Sequence, residues 1–93
     1  MTLEEATKII AGKVSGGGID QTVKFDFGGD GVVFVDGSTV NNSDTEADCT
    51  INVSLETLEK VLSGELNPTA AYMNGDFNIT GDMGVAMKLG EIL

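Results

Sequence analysis

Arginine, histidine and tryptophan are absent from the chain, and cysteine and proline occur once each, as Cys49 and Pro68. Each gap closes off a class of function. Without histidine there is no imidazole base poised near neutral pH and no His-ligated metal site. One cysteine makes neither an internal disulfide nor a four-cysteine zinc site. The basic residues number five, all lysine, against 15 acidic ones, for a net charge of −10. A chain so charged has no phosphate-binding footprint, which argues against nucleic acid as a partner. Long apolar runs are missing too: nothing approaches the ~20 residues that span a bilayer, and the N-terminus lacks a signal peptide's continuous apolar stretch. These absences read as a cytoplasmic protein with no stable membrane insertion.

What is present fits one domain over 1–93. Of the 93 residues, 41% are hydrophobic, and the acids are spread along the chain rather than massed in a tail. A domain this small buries only about 60–65% of its extended surface, so the core should be thin, one layer of helices on one sheet.

Local signals give the element order. Thr2-Leu3-Glu4-Glu5 is a capping-box pattern, and Leu3, Ala6, Ile10 and Val14 follow at helical spacing until Gly16-Gly17-Gly18 stops the helix. Val23, Phe25 and Phe27 then alternate with polar residues as a first strand, and Gly28-Gly29-Asp30-Gly31 turns into the denser run Val32-Val33-Phe34-Val35. Asp36-Gly37 is a hairpin signal leading to a short edge strand through Thr39 and Val40. Cys49, Ile51 and Val53 alternate as a fourth strand, after which Ser54 caps a helix carrying Leu55, Leu58 and Leu62, and Gly64 ends it. Asn67-Pro68 opens a short helix that closes at Gly75. Phe77 and Ile79 mark a fifth strand, and Asp82 caps a last helix bearing Met83, Val85, Met87, Leu89 and Ile92. The order predicts an α+β fold, a five-stranded mainly antiparallel sheet with helices packed on one face. The fifth strand, returning after a long helical connection, is the natural candidate for a parallel pairing.

Candidate chemistry is sparse. Asp44, Glu46 and Asp48 alternate but lack a calcium loop's glycine and terminal bidentate acid. Cys49 is in phase with Ile51 and Val53, which makes it a small core residue with a raised pKa and nothing to activate it. The glycine clusters follow a helix or join two strands, so neither is a phosphate cradle. No catalytic residue, metal ligand or cofactor is assigned. The final helix is unusual: apolar over most of its circumference, with two of the chain's four methionines, Met83 and Met87, and a third, Met73, in the helix before it. Methionine adapts to partners of varied shape, which suits a deformable apolar cavity that the chain's own side chains leave underfilled.

The stretch from Gly64 to Leu89 carries a glycine–x–leucine–asparagine–proline helix start, then Asn74-Gly75-Asp76-Phe77-Asn78-Ile79-Thr80-Gly81, then Met83-Gly84-Val85-Ala86-Met87-Lys88-Leu89. In that order these motifs resemble the sterol carrier protein type two family of non-specific lipid-transfer domains, and the likeness extends back to Ala47. The resemblance implies a non-enzymatic domain with an apolar tunnel between sheet and helices, taking a fatty acid, acyl-CoA, sterol-like molecule or phospholipid. Matched onto this chain, the lining would come from Phe25, Phe34, Ile51, Val53, Phe77 and Ile79 on the strands and Leu58, Leu62, Met73, Met83 and Met87 on the helices. The end Gly-Glu-Ile-Leu lacks a Ser-Lys-Leu type tripeptide, so peroxisomal residence is not carried over. With so acidic a chain, docking to an anionic membrane is disfavoured. The competing reading is an accessory or oligomerising module whose apolar groove takes a protein partner, a second copy making a homodimer.

Overall fold

A computed structural model describes residues 1–15 and 20–92, and within them all side chains except those of Pro68, Ala86 and 89–92. The Gly16–Gly18 helix stop lies outside the described residues, and the side chains of Leu89 and Ile92 in the last helix's apolar stripe are outside the described ones. Four helices, α1 (Leu3–Val14), α2 (Leu55–Leu62), α3 (Pro68–Met73) and α4 (Met83–Ile92), accompany five strands, β1 (Thr22–Asp26), β2 (Val32–Asp36), β3 (Thr39–Asn41), β4 (Cys49–Asn52) and β5 (Asn78–Gly81).

Helix boundaries follow the capping chemistry. At α1 the Thr2 side chain accepts from the Glu5 amide while the Glu5 carboxylate accepts from the Thr2 amide, satisfying two donors that the first turn leaves open. Ser54 caps α2 through the Thr57 amide, Asn67 caps α3, and the Asp82 carboxylate accepts from the Gly84 amide at the head of α4. The α3 terminus is a Schellman motif: Asp76 N–H bonds to the Ala71 carbonyl and Gly75 N–H to that of Tyr72, with Gly75 at φ +83°.

The sheet order is β3-β2-β1-β4-β5. The pairs β1–β2, β2–β3 and β4–β5 are antiparallel, and β1–β4 is parallel. This corrects the expectation for the fifth strand, whose antiparallel place beside β4 is set by the register Ile51↔Ile79 and Cys49↔Gly81. The parallel pair arises earlier. After β3 the chain must return past β2 and β1 to reach β4, a lateral shift of three strand spacings, about 14 Å. Residues 42–48 can reach roughly 25 Å when extended, so no helix is needed in the crossover.

Alternation gives the sheet two unlike faces. Val23, Phe25, Val33, Val35, Cys49 and Ile51 point inward and join Ala6, Ile10, Val14, Leu58 and Val85 in one core cluster. Phe25 and Phe27 stack with ring centroids 6.4 Å apart. The outward face carries Thr22, Lys24, Asp26, Phe34, Thr50 and Asn52. Across it runs the 42–48 connection, because the Lys24 ammonium, mostly covered, meets the Asp44 carboxylate at 2.9 Å. Asn42 anchors the start of this strap through the Val32 carbonyl and the Thr7 hydroxyl, both at 2.9 Å. The Asp48 carboxylate fixes its end on the Thr22 amide and hydroxyl.

Candidate functional site

On the helix side of β4 and β5 the apolar side chains grade from fully buried to half-buried. Ile79 faces Ile51 across the β4–β5 pair, and Ile51 faces Phe25 across the parallel pair, so these three form one row on the inward face. Phe25 and Ile51 are buried, while Ile79, on the edge strand, is only half-buried. Phe77 and Val53 lie beyond this row; Val53 is buried and Phe77 half-buried. From above, α2 contributes the fully buried Leu58 and the half-buried Leu62. Seven of the residues expected to line an interior space are thus packed in or against one core: Phe25, Ile51, Val53, Leu58, Leu62, Phe77 and Ile79.

The other four lie elsewhere. Phe34 pairs with Lys24 and Asn41, which puts it on the outward face. A strand alternates strictly, so Val33 and Val35 inward send Phe34 out. Met73, Met83 and Met87 are 79%, 42% and 74% exposed. On α4 the buried residue is Val85, at 1% exposure, and a two-residue step turns a helix by about 200°, so Met83 and Met87 stand on its back. On α3 the same step separates Met73 from the buried Ala71. A helix apolar nearly all round gives no sequence signal for which side meets the core, and the type of residue alone pointed inward.

The remaining chemistry is modest. An open depression of about 430 Å³ lies where β1 and β4 end, lined by Asp26, Phe27, Gly28, Asn52, Val53, Ser54, Asp76 and Asn78. Much of its polar lining is already engaged: Asp26 accepts from the Gly28 amide and Ser54 caps α2. Asp44 and Asp48 serve the strap, and among the described residues no group of three or more acids or cysteines is arranged to hold a metal ion. Cys49 is buried; burial first, and then the Asp82 carboxylate, push its thiol pKa up, which makes it a packing residue and a poor nucleophile. No described helix is long and apolar enough to cross a membrane.

Over residues 2–93 the sequence matches the SCP-2 sterol transfer family. The chain belongs to that family. The SCP-2 domain is a lipid-binding and lipid-transfer unit, generally not an enzyme in its own right. Sterol carrier protein 2 of Oryctolagus cuniculus is 45% identical over 56 residues, which is 60% of this chain and 10% of that longer protein. The crystal structure of sterol carrier protein 2 like 2 from Aedes aegypti superposes with a TM-score of 0.84 at 21% identity, covering 98% of this chain and 95% of that one. A solution structure of palmitated SCP2L2 from Aedes aegypti gives a TM-score of 0.75 at 25% identity, over 99% of this chain and 94% of that one. These SCP-2 structures share the five-stranded sheet and its helical layer.

Proposed function

We propose that this SCP-2 domain binds one apolar lipid, without catalysing any change in it, between the inward face of β4–β5 and the helices above. The candidate guests are a fatty acid, an acyl-CoA, a sterol-like molecule or a phospholipid. One observation carries the reading: Phe77 just before the edge strand and Ile79 on it, with Leu62 at the end of α2, are apolar and packed against the core yet only half-buried. They form a strip that a guest chain would finish covering. The palmitated state of the Aedes aegypti neighbour favours a fatty acyl guest. Phe25, Ile51, Val53 and Leu58 would form the floor and wall behind the strip.

Burial is the driving term. Each methylene moved out of water contributes about 0.8 kcal/mol, so affinity should rise about fourfold per added carbon until the site is full. Displacement of a fluorescent fatty acid by a series of unlabelled acids of increasing length measures this directly. Replacing both Phe77 and Ile79 with alanine should weaken binding by about tenfold or more. Native mass spectrometry of protein purified without added lipid provides the second readout. A bare protein mass together with no displacement at micromolar concentrations would reject the proposal.

A further inference from the structure

Hydroperoxides attack sulfur first among protein side chains. With no tryptophan or histidine in the chain, its two-electron reductants are the five sulfur atoms of Met1, Met73, Met83, Met87 and Cys49. The fold divides them into two sets. The Met1 side chain is 4% exposed and packs against the core. Cys49 is buried and its thiol keeps its proton, which suppresses the reactive thiolate. Met73, Met83 and Met87 are instead exposed, Met83 the least of the three.

Their positions also decide what oxidation does. A sulfoxide turns a flexible apolar side chain into a polar one, which disrupts a core but not a solvated surface. Met73 lies two residues from the buried Ala71 on α3, and Met83 and Met87 each lie two residues from the buried Val85 on α4. All three therefore stand away from the packed side of their helices. None belongs to the core cluster or to the apolar side chains packed against it. An oxygen atom added at any of them meets water rather than a neighbour.

We propose that Met73, Met83 and Met87 are a modification site at which this protein reduces hydroperoxides, a reversible oxidant sink on α3 and α4 that leaves the folded core unoxidised. In each event the thioether sulfur attacks one peroxide oxygen, and an S–O bond forms as the O–O bond breaks. The other oxygen takes up a proton and leaves as water or an alcohol. The sulfur loses two electrons and the peroxide gains them. Two thiols restore the methionine by going to a disulfide, and the sulfoxide oxygen departs as water. Methionine sulfoxide reductases catalyse that return, one enzyme for each sulfoxide epimer. The exposure that admits the peroxide also admits the reductase. This activity does not depend on the lipid-binding reading above.

The test is treatment of the whole chain with excess hydrogen peroxide, followed by intact mass and peptide mapping. Oxygen should add at Met73 and Met87 first and then at Met83, at least about tenfold faster than at Met1 or Cys49. The protein carrying all three sulfoxides should still unfold in one cooperative transition, with its midpoint within a few degrees of the untreated one. Dithiothreitol with both reductases should then remove the three oxygens from the folded protein, and a second peroxide treatment should put them back. Met73→Leu with Met83→Leu and Met87→Leu keeps an apolar side chain of similar size at each position. This triple variant should consume peroxide about tenfold more slowly than the wild type. Oxidation of Met1 or Cys49 ahead of the three overturns the proposal, as does loss of the cooperative transition on oxidation. Sulfoxides that the reductases leave untouched, or undiminished peroxide consumption by the triple variant, overturn it as well.

Discussion

At Gly81 the backbone adopts φ +104°, and a Cβ placed there would run into the carbonyl oxygen of Asp48. That oxygen also accepts from the Asp82 amide at 3.0 Å, so the close approach ties the end of β5 and the head of α4 to the start of β4. Gly81→Ala should therefore cost about 2–4 kcal/mol in urea unfolding, since backbone rather than a flexible side chain must move. Gly12 is the counter-example: it lies inside α1 with nothing within 4 Å of its would-be Cβ, and Gly12→Ala should stabilise by about 0.5–1 kcal/mol. Cys49 gives a pH-dependent case. Its folded pKa is raised, so with rising pH the unfolded thiol ionises first, near ~8.5, while the native one keeps its proton. The unfolded state then binds fewer protons, and stability falls as pH climbs toward the folded value; below the unfolded pKa the contribution is fully present. Denaturation curves from neutral to alkaline pH should show a shallower decline for Cys49→Ala than for the wild type.

The helices differ in how firmly they are held. Ala6, Ile10 and Val14 seat α1 with three fully buried side chains, whereas the described side chains seat α3 by Ala71 and α4 by Val85. Two glycines among the ten residues of α4 weaken it further. Amide exchange of α3 and α4 should be faster than that of the central strand β1, on the order of 100-fold. Val85→Ala should open α4 further without altering β1; equal protection across these elements would contradict this account. What the sequence revealed at this scale tracks how local each signal is. The caps at Thr2, Ser54, Asn67 and Asp82 and the inward set Val23, Phe25, Cys49, Ile51 and Val53 were legible because each depends on a few neighbouring residues. Alternation assigns a residue to a face but not a strand to a neighbour, so the parallel β1–β4 pair could not be read from it. Phe34 was drawn inward by an apolar run with no polar residue to reveal its phase. Met73, Met83 and Met87 were drawn inward by residue type, although only the buried positions Ala71 and Val85 say which way their helices face.

The molecule measures about 27 × 27 × 25 Å and carries a net charge of −10. At ionic strength near ~0.01 M the screening length of about 30 Å exceeds those dimensions, so every carboxylate feels all the others; at ~0.15 M it shrinks to about 8 Å. Salt also weakens the surface pairs Glu4–Lys8 and Glu56–Lys60, but exposed pairs of that kind are worth under ~1 kcal/mol each. Relief of the general repulsion should win, and the thermal midpoint should rise by several degrees between those salt levels, as differential scanning calorimetry would register. A fall in the midpoint would mean that the pairs dominate. The strap of residues 42–48 gives the molecule a back and a front. Its anchors at Asn42, Asp44 and Asp48 hold this segment across the rear of the sheet, opposite the face on which the lipid site is proposed. Glu46, exposed in the middle of that seam, is consequently a place to mount a dye or a surface tether that stays clear of the proposed lipid site.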